Sequence, residues 1–122
     1  MQCLRITNVS EIKHLISWNI SKSVISKEEL SNSDLSCPFL HVDGKPFKDV
    51  ICLMTVKENS TWRLPSNDVA SVMVDQNVWG DCVIAFKTHE DEHLSKLKFN
   101  VMCEIVKRTL LKEGMQEKSI LY

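Results

Sequence analysis

The last quarter of the chain constrains the fold most. Placed at about 100° per residue on a helix, His89 to Glu113 show two apolar stripes instead of one. Leu94, Leu97, Val101 and Ile105 make the first. Phe99, Cys103, Val106 and Leu110 make the second, roughly opposite, with Met102 between them. Thr88 is a good N-cap, and Asp91 stands three residues on in capping-box position. Glu90, Asp91 and Glu92 load the first turn and Lys107, Arg108 and Lys112 the far end, as the helix dipole favours. Gly114 reads as the C′ stop. The spacing predicts an amphipathic helix over 89–113.

One stripe is enough to pack a helix on a sheet, and the first is assigned that role. The second then needs cover, because four such side chains left in water are unusual for a monomer. Residues 1–25 or another molecule are both open as its cover. The candidate partner-binding set is therefore Phe99, Met102, Cys103, Val106 and Leu110, facing a protein partner or a second copy of the chain.

Upstream, short apolar runs alternate with turn signals. Gln2–Ile6 suits a short strand. Residues 10–25 read either as a helix capped by Ser10 and carrying Ile12, Leu15 and Ile16, or as a strand from about 14 to 25; the strand is preferred. SKEELSNSDLS is a loop or a single helical turn capped by Ser26. Asp43-Gly44 is a strong turn signal between apolar segments. Strands are expected at Phe47–Val56, Thr61–Leu64, Val69–Val74 and Cys82–Phe86, with turns at Glu58–Ser60 and Asp75–Asn77. The expected fold is α+β: a bent antiparallel sheet, as a sandwich or partial barrel, closed by a long C-terminal helix. Residues 1–113 are expected to form one domain, and 114–122 a tail whose apolar finish, Ile120-Leu121-Tyr122, docks back or binds a partner.

The order of strands from Phe47, then CVIAF, then a capped helix resembles the second half of the pleckstrin-homology-like superfold. The rhythm of WRLPSNDVASVMV (residues 62–74) is similar to such domains. The resemblance implies a sheet plugged by the final helix and a role as a protein-interaction scaffold. The helix lacks the tryptophan common in lipid-binding members, and no Lys-x-Arg-like phosphoinositide signature precedes it, so a membrane partner is not implied.

Bulk properties exclude some classes. Lys plus Arg (15) nearly balances Asp plus Glu (16), which removes a global electrostatic drive toward nucleic acid. Lys96, Lys98, Lys107, Arg108 and Lys112 leave a nucleic-acid contact as an alternative, with direct binding disfavoured. The five cysteines are scattered, odd in number and in no C-x-x-C pair, which suggests structural thiols in a reducing compartment, cytoplasmic or nuclear. Cys52, Cys82 and Cys103 sit in apolar patterns and are expected in the core. Trp18, Trp62 and Trp79 suit core or interface anchors.

One motif looks like chemistry. His89-Glu90-Asp91-Glu92-His93 matches H-E-x-x-H, the zinc-peptidase pattern in which two histidines one helical turn apart bind metal and the glutamate activates water. That chemistry needs a helix interior, a third ligand and an open coordination position. Here the motif stands at the helix start among acidic residues. His14, His41 and Glu104 are the conceivable third ligands. An exposed acidic first turn is the preferred reading. No metal, cofactor or catalytic residue is assigned, and a zinc hydrolase stays the alternative to a non-catalytic interaction or assembly module.

Overall fold

The computed structural model describes residues 1–12, 15–56, 64–120 and 122. The element order is β1 (Gln2–Ile12), β2 (Leu15–Val24), α1 (Lys27–Ser31), β3 (Asp34–Ser36), β4 (Leu40–Val42), β5 (Lys45–Phe47), β6 (Ile51–Val56), α2 (Asp68–Val74), β7 (Cys82–Lys87), α3 (Lys96–Lys112) and a short 3-10 turn (Glu117–Ser119). Five strands form one antiparallel sheet in the order β2-β1-β7-β6-β3, and β4 and β5 form a separate hairpin. The first and last strands are neighbours, Cys3 pairing with Ala85 and Ile6 with Cys82. A register shift between Asn8 and Ser10 marks a bulge in β1 beyond that shared stretch.

Period-two alternation sorts the side chains. Leu4 and Ile6 of β1, Cys52 and Met54 of β6, and Cys82, Ile84 and Phe86 of β7 all belong to the main core, which α2, α3 and β4 cover. The alternate residues Cys3, Leu53 and Ala85 form a smaller cluster with Ile25, against which Leu30 of α1 packs. Strands apolar on both faces explain the near-continuous hydrophobic run ICLMTV in β6.

Several expectations hold in the structure. Residues 15–24 are a strand, Ser26 caps α1 by accepting from Glu29 N, and Cys82–Phe86 lies within β7. Asp43 and Gly44, both at positive φ (52° and 76°), turn β4 into β5. Gly114, at φ 87°, ends α3: its N–H donates to Leu111 O and that of Met115 to Leu110 O, the paired bonds of a Schellman stop. The architecture is α+β with antiparallel pairing and a long C-terminal helix on the sheet.

Other expectations are corrected. Val69–Val74 is not a strand but lies in helix α2. Buried Asn67 caps it, accepting from Ala70 N at 3.1 Å while donating to Gly80 O at 2.9 Å. Val69, Ala70, Met73 and Val74 are all buried, a helical spacing that the β-branched residues masked. The stretch that carried the likeness to a pleckstrin-homology-like sheet is thus partly helical. The Glu58–Ser60 turn, the strand at Thr61–Leu64 except Leu64, Trp62 and His14 lie outside the described residues.

Helix α3 begins at Lys96, capped by Ser95, which accepts from Lys98 N at 3.2 Å. Residues 89–93, expected in its first turn, precede it. Thr88 spends its capping capacity on a loop: its hydroxyl accepts from Glu92 N, its carbonyl from Asp91 N, and its N–H donates to Glu92 O. Asp91, at φ 67°, breaks any helical run there.

The two stripes also exchange roles. Leu94 drops off the helix, so the stripe expected on the sheet keeps only Leu97, Val101 and Ile105. Leu97 is 77% exposed and Val101 51%. The opposite stripe, with Met102, keeps five contiguous residues and faces the sheet: Phe99, Met102, Cys103, Val106 and Leu110 are each at most 2% exposed. Phe99 packs on Phe86 with ring centroids 6.4 Å apart. The tail also docks. Ile120 bridges Ile20 of β2 and is buried, and Tyr122 donates its hydroxyl to Cys103 O at 2.6 Å.

Truncation should separate the two stripes. Phe99→Ala should cost about 3–5 kcal/mol of stability by opening a core cavity. Leu97→Ala should stay within about 0.5 kcal/mol, as an exposed position does. Urea denaturation followed by circular dichroism checks both.

Candidate functional site

The surface carries the outer face of α3, the loop holding the two histidines, and a polar cleft on the sheet face opposite α3.

On α3, burial of Phe99, Met102, Cys103, Val106 and Leu110 removes the premise that these five meet a partner. They are the chain's own core, and their cover comes from the sheet and from α2, not from another molecule. What stands open is the other side. Leu97 and Val101 lie one turn apart, and Leu111, 37% exposed, extends the same side along with Glu104 and Arg108. Lys22 of β2 reaches Asn100 Oδ1 at 2.9 Å, so the N-terminal half of α3 lies beside the end of β2. Val24, two residues beyond Lys22 on the same face of the strand, is 66% exposed. Of the basic residues, Lys107 pairs with Glu117 at 3.4 Å and Lys112 with Asp43 at 2.9 Å, while Lys96, Lys98 and Arg108 are exposed. Trp18 is a core residue and Trp79 half-buried, so neither serves as an exposed anchor.

The histidine loop does not have the zinc-peptidase geometry. His89 and His93 lie off α3, in a turn where Lys87 bridges His93 and its ammonium pairs with Asp91. His89 Nε2 donates to Lys48 O at 2.6 Å, since a carbonyl can only accept. The His89 ring is therefore tied to the backbone of Lys48, and His93 pairs through its backbone with Lys87, so the two residues do not share a helix face. Glu104 lies on the outer side of α3. His41 lies in the β4–β5 hairpin, 3.8 Å from Asp75. Among the described residues, no three His, Cys, Asp or Glu side chains gather as metal ligands.

The cleft, of about 150 Å³, lies among β1, β6, β7 and α1, and Arg5, Thr7, Glu29, Ser33, Thr55 and Asp81 supply its polar walls. Its centre is a bidentate ion pair: Arg5 donates to both carboxylate oxygens of Glu29 at 2.7 and 2.9 Å, to Ser23 Oγ at 2.8 Å and to Val24 O at 2.9 Å. With its fork occupied, Arg5 ties α1 to the β1–β2 hairpin and has little capacity left for an anion. The neighbouring guanidinium holds the Glu29 carboxyl below its ordinary value. No sequence pattern announced this pair; strand alternation and a charged residue in a five-residue helix were its only traces.

Set against family models, curated proteins and solved structures, this chain matches none. No helix among the described residues is long and apolar enough to cross a membrane.

Because its carboxyl is depressed in the folded state, Glu29 contributes stability that is fully present above its ordinary value of 4.5 and fades as pH falls through the lower folded value. Glu29→Gln should therefore be less stable than wild type by about 0.5–1 kcal/mol at neutral pH, the modest figure reflecting solvent screening. That gap should close in acid. Paired denaturation curves from neutral pH down to about pH 3 measure it.

Proposed function

We propose that this chain is a non-catalytic protein-interaction module whose contact surface is the outer face of α3, centred on Leu97 and Val101. One observation carries the reading. Two large apolar side chains, 77% and 51% exposed, stand one turn apart on a helix whose opposite side already supplies the core. Isolated exposed apolar residues need no explanation, but a pair aligned on a rigid helix, with Leu111 further along, is the form that helix-docking surfaces take. The partner this surface suits is an apolar helix face, from another protein or from a second copy of the chain. Lys98, Glu104 and Arg108 around the pair would govern orientation and rate more than affinity.

The likeness to pleckstrin-homology-like scaffolds points the same way and adds no residue-level support. A cytoplasmic or nuclear setting accords with the scattered thiols. A nucleic-acid contact is the weaker reading, since Lys107 and Lys112 already have acidic partners. A zinc hydrolase has less support still, because the histidine pair lacks the helical geometry that chemistry requires.

Charge reversal on the two sides of α3 discriminates. Leu97→Glu/Val101→Glu should keep the native melting temperature within a few degrees and lose self-association, or capture of a partner from cell extract, by at least about tenfold. Val106→Glu should unfold the chain outright, as a buried charge without a partner does. Light scattering and thermal melts of both variants read the outcome, and unaltered association by the double variant would refute the assignment.

A further inference from the structure

Away from α3, a cleft of about 180 Å³ is lined by Cys37, Pro38, Phe39, Lys48, Val50, Ile51, Cys52 and His89. Two cysteines of opposite character meet in it. Cys37 is exposed and Cys52 is 3% exposed, and both are free thiols. Strand pairing brings them together. The β3–β6 ladder closes at Ser36↔Met54, so Cys37 is the first residue past the ladder, beside the Leu53–Cys52 step of β6. At that offset antiparallel Cα atoms lie within about 5–7 Å, the span a disulfide needs. Pro38 has no N–H to carry the ladder on, and the chain leaves the sheet there. That departure releases Cys37 from strict alternation, which would turn it away from Cys52, and lets it line the same cleft. His89 enters from the other side, fixed by its bond to Lys48 O, and Lys48 adds a cation with Nζ 5.9 Å from the Phe39 ring centroid.

We propose that Cys37 and Cys52 are a redox-responsive pair that closes to an intramolecular disulfide on exposure to a hydroperoxide. The exposed Cys37 thiolate attacks one peroxide oxygen, the O–O bond breaks, and a sulfenic acid forms with release of hydroxide, or of water after protonation. Cys52 sulfur then attacks the Cys37 sulfur. The S–S bond forms as the S–O bond breaks, and the leaving hydroxide takes up the Cys52 proton as water. Two thiols are oxidised, one hydroperoxide is reduced, and the sum is a disulfide and two molecules of water when the oxidant is hydrogen peroxide. Burial sets the roles. It pushes the Cys52 thiol up to about 12, so Cys52 is a poor first nucleophile, and the sulfur open to solvent reacts first. The bond would staple the β3–β4 connection to β6.

Treatment of the reduced, full-length protein with hydrogen peroxide, followed by alkylation and intact-mass and peptide analysis, tests this. The expected product is a monomer lighter by about 2 Da, with two alkylatable thiols lost and Cys37 and Cys52 in one cross-linked peptide. Cys37→Ser, a change at an exposed position, should leave Cys52 fully alkylatable after the same exposure. In Cys52→Ala, Cys37 should instead accumulate as a sulfenic acid trapped by dimedone. Cys37 passing to sulfinic acid or joining a second chain in the wild type, with Cys52 still alkylatable, would overturn the proposal. So would loss of the Cys52 thiol in Cys37→Ser.

Discussion

Everything in this fold depends on the contact between the inner side of α3 and the paired strands β1 and β7. Leu4, Ile6, Ile84 and Phe86 present a flat apolar surface, and Phe99, Met102, Cys103, Val106 and Leu110 seal it. The strands come from opposite ends of the chain, so this contact also fixes where both ends lie. Burial of large aromatic and aliphatic side chains supplies the main driving force for a domain of this size. The other elements then fill what α3 leaves open. Short α2 covers the sheet beside it, the β4–β5 hairpin leans on both helices, and Ile120 and Tyr122 close the gap at β2.

The opposite face of the sheet is built on a smaller scale. Cys3, Ile25, Leu53 and Ala85 form a cluster that a single five-residue helix covers. So short a helix cannot hold itself together in water, and its position relies on outside ties. Ser26 caps its start, and Glu29 clasps Arg5 through two parallel bonds. An ion pair that adds little free energy still fixes orientation here, because the fork of Arg5 also holds Ser23 and the backbone of Val24. The sheet thus has one face secured by packing and another secured by a directed polar contact.

How far the chain could be read beforehand follows the same physics. Signals that reside in one or two residues came through: the Asp43-Gly44 turn, the Ser26 cap, the Gly114 stop and the apolar run of β7. Signals that two residue types contest did not. Val69, Val72 and Val74 favour a strand by propensity, and Asn67 favours a helix by capping; the cap prevailed because its amide also bonds Gly80 O inside the core. Thr88 and Ser95 are both fair N-caps. Only the left-handed turn at Asp91, invisible in a pattern, decided between them. That shift of seven residues took Leu94 from the helix but left the phase of the two stripes unchanged. The doubly apolar character of α3 was legible, whereas its orientation needed the packing of strands from both ends of the chain. The Cys37–Cys52 cleft and the Arg5–Glu29 clasp were not legible at all, because each joins residues that only tertiary pairing makes neighbours.

The docking of the tail bears on where an outside contact can form. A free outer strand is a template for pairing, and β2 is ten residues long. Ile120 meets it at Ile20, and the Tyr122 ring lies near Lys22, whose Nζ is 5.5 Å from its centroid. Lys107 holds Glu117 on the way. The same few residues therefore obstruct the strand edge and the inner flank of α3 together. They do not reach the outer side of the helix, where Leu97 and Val101 remain open on a helix capped by Ser95 at one end and a Schellman stop at the other. A contact made there finds a rigid helix already formed and disturbs none of the chain's own packing. A contact at the β2 edge would first have to displace buried Ile120. Preorganisation thus favours the helix face over the strand edge as the place where another molecule binds.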